Sequence, residues 1–438
     1  MLSRILSKIH NLQDTAWVRQ TGLVCFYIAL VTETLIVIAD KSAWINPLEG
    51  RLFQVTFALC VVKVLFTKYE WREYIAIFLC CLVGLLTDQI SGRNEILRVF
   101  MFVAACHGTD LRKNLKVVFK ITLVGSILIV LLSVLGVLGT VTVPKEYVDG
   151  TQKTLFCFGM GNANAFHCMF FVICLLGMYL YHEGLKWWMY LMLLAADIGM
   201  FFLTRSKTAT GMLAIAVMGM WIISKWETTP KQIPQREITQ RQITQSNDGG
   251  KGAIDKSPAR KQRAPKVTGI IMLAVNAFCV AVSVFFAAQA WRVHDWDWEI
   301  YRDSSSELIV RVNEILTGRL RCLTETDPWT GTIDTWKLFA GPNTERYFDL
   351  GFVRLFYWYG IIPAALILTL FGVLLIYLYR KEKYTEILFL TICSVYTVVE
   401  AHFVSVYIAR CYPLILFGAF GAEMMNKENW KSNISRKI

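Results

Sequence analysis

The sequence predicts an all-α polytopic membrane protein with about twelve transmembrane helices and one large loop opposite its basic termini. Three observations carry this. The 438 residues are 55% hydrophobic and only 18% charged, with a mean hydropathy of +0.45. The apolar residues fall in long continuous runs between short polar links. The basic residues recur in alternate links, as they do when those links share one side of a bilayer.

A helix crossing the hydrocarbon needs roughly 20 largely apolar residues. Runs of that kind occupy residues 20–40, 51–67, 74–88, 95–107, 116–140, 163–181, 186–204, 209–224, 267–289, 350–379, 384–404 and 406–422. Those at 74–88 and 95–107 are short for a span. A transmembrane barrel would alternate apolar and polar residues along each strand and is excluded by the continuous runs. The first run lacks a small-residue cleavage site and is followed by many more, so no cleavable signal peptide is expected.

The net charge of +12 reads as an orientation signal and not as affinity for nucleic acid. With Arg4, Lys8 and Arg19 in the cytoplasm, the links at Lys68–Arg72, Arg112–Lys116, Lys186 and Arg380–Lys383 also fall inside. So does the tail with Lys427, Lys431, Arg436 and Lys437. Both termini are then cytoplasmic. Residues 1–224 hold helices one to eight, and 225–266 form a basic linker with ten Lys or Arg against four acids. This linker is too polar to bury a core and is expected to be disordered, lying near anionic lipid. The ninth helix is 267–289, the outer loop 290–349, the last three helices 350–422 and the tail 423–438. The outer loop carries seven basic and eleven acidic residues.

Most of the twelve cysteines lie inside apolar runs (Cys25, Cys60, Cys80, Cys81, Cys168, Cys174, Cys279, Cys393), where Cys fills space as a small hydrophobe. No spacing suits a zinc site, so no metal or cofactor is expected. Cys157 and Cys322 alone look outward, and the sequence leaves a bridge between them open.

A charge at mid-membrane costs about 2.5–3.5 kcal/mol on insertion scales, so ionisable residues inside the runs mark function. Glu33 lies in the outer part of the first run, Arg98 at the outer end of the fourth and Asp197 in the outer half of the seventh. Arg205 and Lys207 flank the outer turn between the seventh and eighth, and Arg354 lies just inside the tenth. Glu400 and His402 end the eleventh, and Arg410 sits early in the twelfth. Lys63 and Lys120 lie near inner ends, where they can snorkel to the interface. The polar groups thus gather at the outer leaflet. A transporter would place them at the midplane.

In the outer loop, Trp291, Trp296, Trp298 and Tyr301 offer flat faces for a sugar ring or for an interfacial belt. Ser304 to Glu307 fits a capping box, and Leu308, Val312, Ile315 and Leu316 follow at helical spacing. This predicts a surface helix over about 305–319, with Arg319 and Arg321 beyond its capped part, free to reach a phosphate.

Four patches resemble the Wzy-type polysaccharide polymerases of the bacterial cytoplasmic membrane, which are related to the O-antigen ligases. Phe158-Gly-Met-Gly-Asn-Ala-Asn164-Ala-Phe resembles "GxGHPNxxG", with Asn162-Ala in place of His-Pro. Phe202-Leu-Thr-Arg-Ser206-Lys207-Thr-Ala is similar to "LTxSRT", with Lys207 where Arg is commoner. Leu316-Thr-Gly318-Arg319 resembles the "SGR" of the large outer loop, and Asp349-Leu-Gly-Phe-Val-Arg-Leu-Phe-Tyr-Trp-Tyr-Gly360-Ile resembles "DNxYLxLLxxYGI".

The resemblance implies a GT-C-like bundle that works as an inverting, metal-independent glycosyltransferase. An undecaprenyl-diphosphate-linked oligosaccharide would be donor and a second lipid-linked repeat unit the acceptor, making capsular or exopolysaccharide. Arg319, Glu400 and His402 are the catalytic residues it points to. Lys207, Arg205, Arg354, Arg410, Asn164 and Asp349 would bind diphosphate or glycan. Membrane lipid and a chain-length regulator are the further partners. A ligase handing the glycan to another acceptor shares this chemistry. A lipid-linked oligosaccharide flippase is the rival of another class, against which stand the missing internal repeat and the large outer loop. A structural scaffold is the third reading.

Overall fold

A computed structural model describes residues 13, 15–146, 152–227, 257–295, 307–326, 329–342 and 347–425, without the side chains of 146, 226–227 and 257–264. The chain runs through α1 (Ala16–Lys41), α2 (Glu49–Leu65), α3 (Trp71–Ser91), α4 (Glu95–Ala105) and α5 (Leu111–Val134). A hairpin of β1 (Thr142–Glu146) and β2 (Gln152–Phe156) follows. Next come α6 (Ala163–Tyr181), α7 (Trp187–Thr204), α8 (Lys207–Glu227), α9 (Ser257–Gln289) and the short α10 (Leu308–Ile315). Then α11 (Gly351–Tyr359), α12 (Ile361–Arg380), α13 (Tyr384–Val399) and α14 (Tyr412–Met425) close the described chain.

Eight described helices are long and apolar enough to cross a membrane: α1, α3, α5, α6, α7, α8, α9 and α12. The chain is therefore a helical membrane protein. α3 reaches 21 residues, longer than its apolar run suggested, because its first turn is capped by a reciprocal Glu70–Glu73 box.

The burial pattern is that of a bundle solvated by hydrocarbon. In α7 the buried side chains are Tyr190, Asp197 and Thr204, while Leu191, Met192, Ile198 and Phe202 face outward. In α2 they are Thr56, Cys60 and Lys63. Water would invert this arrangement. In lipid, a polar side chain finds its partners only inside the bundle. The main core packs Phe26 and Leu30 of α1, Phe102 of α4, Phe171 and Leu175 of α6, Leu213 of α8 and Phe389 of α13. A second core under residues 290–293, 308–323 and 348–355 holds Ala290, Val293, Leu320, Leu323, Phe348 and Val353.

Several expectations are corrected. The run 350–379 is two helices broken at Gly360, whose φ of 96° no side-chain-bearing residue adopts readily. A Cβ there would lie 2.6 Å from the Leu338 carbonyl oxygen. Arg354 therefore belongs to α11, not to a continuous tenth span. The surface helix is only Leu308–Ile315, with Glu307 as its N-cap residue. Ser304–Ser306, Trp296, Trp298 and Tyr301 lie outside the described residues. The linker gives way to helix at Ser257, well before 267. Residues 228–256, Arg4, Lys8 and the tail after Met425 also lie outside the described residues.

The fifth helix stops at Val134, and the chain turns into the β1–β2 hairpin, in which Val143 pairs with Leu155. Cys157 and Cys322 are not joined. The Cys157 thiol donates to the Thr140 carbonyl at 3.2 Å and the Cys322 thiol to Glu325 at 3.5 Å. Lys63 does not snorkel outward. It is buried, donating to the Thr67 hydroxyl at 2.7 Å and the His107 carbonyl at 3.2 Å.

Candidate active site at one end of the bundle

The end where α1, α7 and α13 finish and α6 and α8 begin gathers an ionic cluster. Its centre is Arg319. One terminal nitrogen pairs with Glu400 Oε1, Nε lies 3.4 Å from Asp349 Oδ2, and Nη1 donates to the Thr208 hydroxyl at 3.3 Å. Glu400 Oε1 also accepts from Asn164 Nδ2 at 3.1 Å, and Asn164 Oδ1 in turn accepts the Ser206 hydroxyl at 2.5 Å. Five chain segments meet here. The side chains of Arg319 and Glu400 are 15% and 10% exposed and that of Asp349 is 42%, so the cluster opens to solvent on the Asp349 side.

Each residue is aimed by its local structure. α10 ends in a turn with positive φ at Thr317 and Gly318 (55° and 80°), which reverses the chain before Arg319. The buried Asn313 side chain locks that turn by accepting from the amides of Leu320 (3.0 Å) and Arg321 (3.2 Å). Asn162 caps α6 through the Ala165 amide at 2.7 Å, which sets Asn164 in the first turn. Thr204 ends α7, Arg205 takes a left-handed conformation (φ 54°), and α8 starts at once, placing Ser206 and Thr208 at its tip. The positive ends of the α6 and α8 dipoles thus both lie at the cluster, a setting that favours an anion. Glu400 follows α13 on extended backbone.

A sealed layer supports this surface. One turn below Asn164, His167 bonds Asp197 through Nε2 and Thr204 through Nδ1, each at 2.9 Å, with the imidazole and the carboxylate fully buried. This ties α6 to the end of α7 and fixes Ser206 against Asn164. Arg354 is 1% exposed and donates to the Phe348 carbonyl through Nε (3.0 Å) and a terminal nitrogen, and to the Val404 carbonyl at 3.3 Å. It also lies over the Tyr347 ring at 3.7 Å. It clamps the residue before Asp349 to the segment after Glu400. Arg410 pairs with Asp40 at the end of α1 and bonds Ser405 at 3.3 Å. His402 is buried against Tyr396 and Phe403, with Nδ1 3.4 Å from the Cys168 thiol.

Of the residues expected from sequence, Arg319, Glu400, Asp349 and Asn164 are brought together. Arg354, Arg410 and His402 are not exposed to the opening: two brace its walls, and the imidazole lies beneath Glu400. Arg205 and Lys207 are exposed on the rim, Arg205 against its own Phe201 and Phe202 rings at 5.7 and 5.6 Å. Sequence reasoning missed the roles of Ser206, Thr208, His167 and Asp40. Ser206 and Thr208 lie inside a quoted motif. A lone His in an apolar run gives no such signal.

No group of three metal-ligating side chains is found among the described residues. What the cluster offers chemically is two carboxylates, Glu400 and Asp349, sharing one arginine beside polar hydroxyl and amide groups. An apolar cavity of about 150 Å³ lies behind it, lined by Phe352, Leu355, Phe403, Val404 and Ile408 among others. Comparison of the chain with protein-family models, with curated proteins and with solved structures yields no match.

Proposed function

We propose that the chain is a polymerase of lipid-linked glycan repeat units, working at the outer leaflet of a bacterial cytoplasmic membrane. One observation carries the reading. Asn164, Ser206 with Thr208, Arg319 and Asp349 come from the four separate patches that resemble the Wzy-type polymerases, and they converge on a single bonded cluster with Glu400. The charge pattern of the links favours twelve spans with both termini inside, which turns this end outward.

In the proposed reaction the acceptor hydroxyl attacks the anomeric carbon of the donor. A carbon–oxygen bond forms, and the bond to the diphosphate breaks with its electron pair leaving on phosphate. The leaving group gains negative charge, which a preorganised guanidinium stabilises. As Arg319 turns to phosphate it releases Glu400, whose carboxylate becomes more basic and takes the hydroxyl proton. Arg319 as a fork suits phosphate better than a lysine would. The apolar cavity behind the 401–408 segment suits part of a prenyl chain. His402 is placed to orient the segment that follows Glu400, and Lys207 to meet the headgroup at the rim.

The test is reconstitution of the purified chain with lipid-linked repeat units as sole substrate. A ladder of products with release of undecaprenyl diphosphate is expected. Transfer only to an added, different acceptor identifies a ligase, and movement of labelled lipid across the bilayer with no new glycosidic bond identifies a flippase.

A further inference from the structure

Charge counting at the cluster leaves a deficit. Arg319 faces two carboxylates, Glu400 and Asp349. Arg410 is taken by Asp40, Arg98 by Glu33, and Arg354 by backbone carbonyls and aromatic faces. The buried arginines at this end are therefore spent, and the cluster with both acids ionised carries net negative charge. Lys207 and Arg205 stand exposed on the rim, so a diphosphate held further in is left to find another cation.

Lys41 is placed to supply it. It is the last residue of α1 and half-buried. The chain around it is tied to the segment that leads into α6. Gly161 N donates to the Lys41 carbonyl at 3.2 Å, Ala43 N donates to the Gly159 carbonyl at 2.8 Å, and Ser42 bridges to Met160. Three residues past Gly161 stands Asn164, which holds Glu400. On its other side Lys41 follows Asp40, the partner of Arg410. Its ammonium is near enough for its charge to act on Glu400 and on His402. Among the described residues Lys41 has no ion-pair partner or side-chain hydrogen bond. A half-buried cation with acidic neighbours all otherwise engaged is poised for an outside anion.

We infer that Lys41 is a further cation of a phosphate subsite between the end of α1 and the start of α6, one that takes the diphosphate headgroup of a polyprenyl lipid. The inference rests on the polymerase reading for the identity of the lipid, and on the bonds around Lys41 for the site. Lysine serves here as a point charge that anchors the diphosphate, while Arg319 remains available to follow the charge that develops on bond cleavage.

The full-length chain in nanodiscs is titrated with undecaprenyl diphosphate and with undecaprenol, and Lys41→Gln and Lys41→Arg are compared with it. The expected result is a loss of about tenfold or more in diphosphate affinity for Lys41→Gln, near-native affinity for Lys41→Arg, and unchanged undecaprenol binding in both. Unchanged tail binding also shows that the variants are folded. Lys41→Gln binding the diphosphate as tightly as the parent overturns the subsite. So does a parent chain with no preference for diphosphate over undecaprenol, or equal competition by phosphatidylglycerol, which would make Lys41 a bulk-lipid anchor. Competition by inorganic diphosphate at comparable concentration supports the site and assigns its specificity to the headgroup alone. The glycosyl-transfer reading is decided separately, by whether the parent chain builds a ladder.

Discussion

Two glutamate–arginine pairs sit at the same end of this bundle and differ in everything but composition. Glu33 and Arg98 join α1 to α4 at 3.1 Å, with side-chain exposures of 2% and 6%. Thr56 adds a 2.5 Å hydroxyl bond to Glu33, and Phe53 covers the guanidinium at 3.7 Å. Arg319 and Glu400 join a surface turn to the end of α13, with a second carboxylate at hand and an opening to solvent. The first pair is locked by its surroundings, its arginine bonded to Glu33 and to the Val406 carbonyl at 3.2 Å. The second can trade partners. The same residue types thus make a strut in one place and an open, shared contact in the other.

The comparison is broken or sharpened by substitution. Arg98→Ala strands a buried carboxylate, and the expected loss of stability is about 3–5 kcal/mol, read from thermal or denaturant unfolding in detergent. Arg319→Ala is expected to leave unfolding nearly unchanged while costing about 10²–10³ in the rate of chain growth. Equal stability losses in the two variants would erase the distinction. Normal-length polymer from Arg319→Ala would remove that residue from the reaction. Thr56→Val and Asn164→Ala each delete a neutral donor to the glutamate. The first is expected to cost about 1–3 kcal/mol of stability and nothing in turnover at permissive temperature. The second should slow turnover by roughly tenfold, the equivalent of a hydrogen bond of about 1.4 kcal/mol to a charged group, with a smaller stability change. Lys207→Ala, at the exposed rim, is expected to alter stability by less than about 0.5 kcal/mol and to act only on substrate affinity, seen as a rise in KM.

Much of this was readable from sequence. Continuous apolar runs marked the helices, and carboxylates in such runs pointed to Glu33, Asp197 and Glu400, because each must find a partner in the bundle. Arg319, Asp349 and Asn164 were found through motif patches. The uses of Arg354 and Arg410 were not readable. The first is satisfied by backbone carbonyls of residues 348 and 404, and the second by an aspartate some 370 positions away in the chain, on α1. Lys41 looks like any basic residue ending a span until the bonds to 159–161 are seen. The interruption at Gly360 is invisible to hydropathy, because largely apolar residues flank it on both sides.

That interruption constrains how the molecule can breathe. Where the helix stops, the amides of Ile361 and Ile362 find the carbonyls of Lys337 and Leu338 at 2.9 and 3.0 Å, and Ala340 N returns a bond to Tyr359. Residues 337–340 therefore act as a seam, and ripping it would break three backbone hydrogen bonds at once. Any loosening at this end is therefore steered to the Asp349 side, where the side chain is already 42% exposed, while the seam stays fixed.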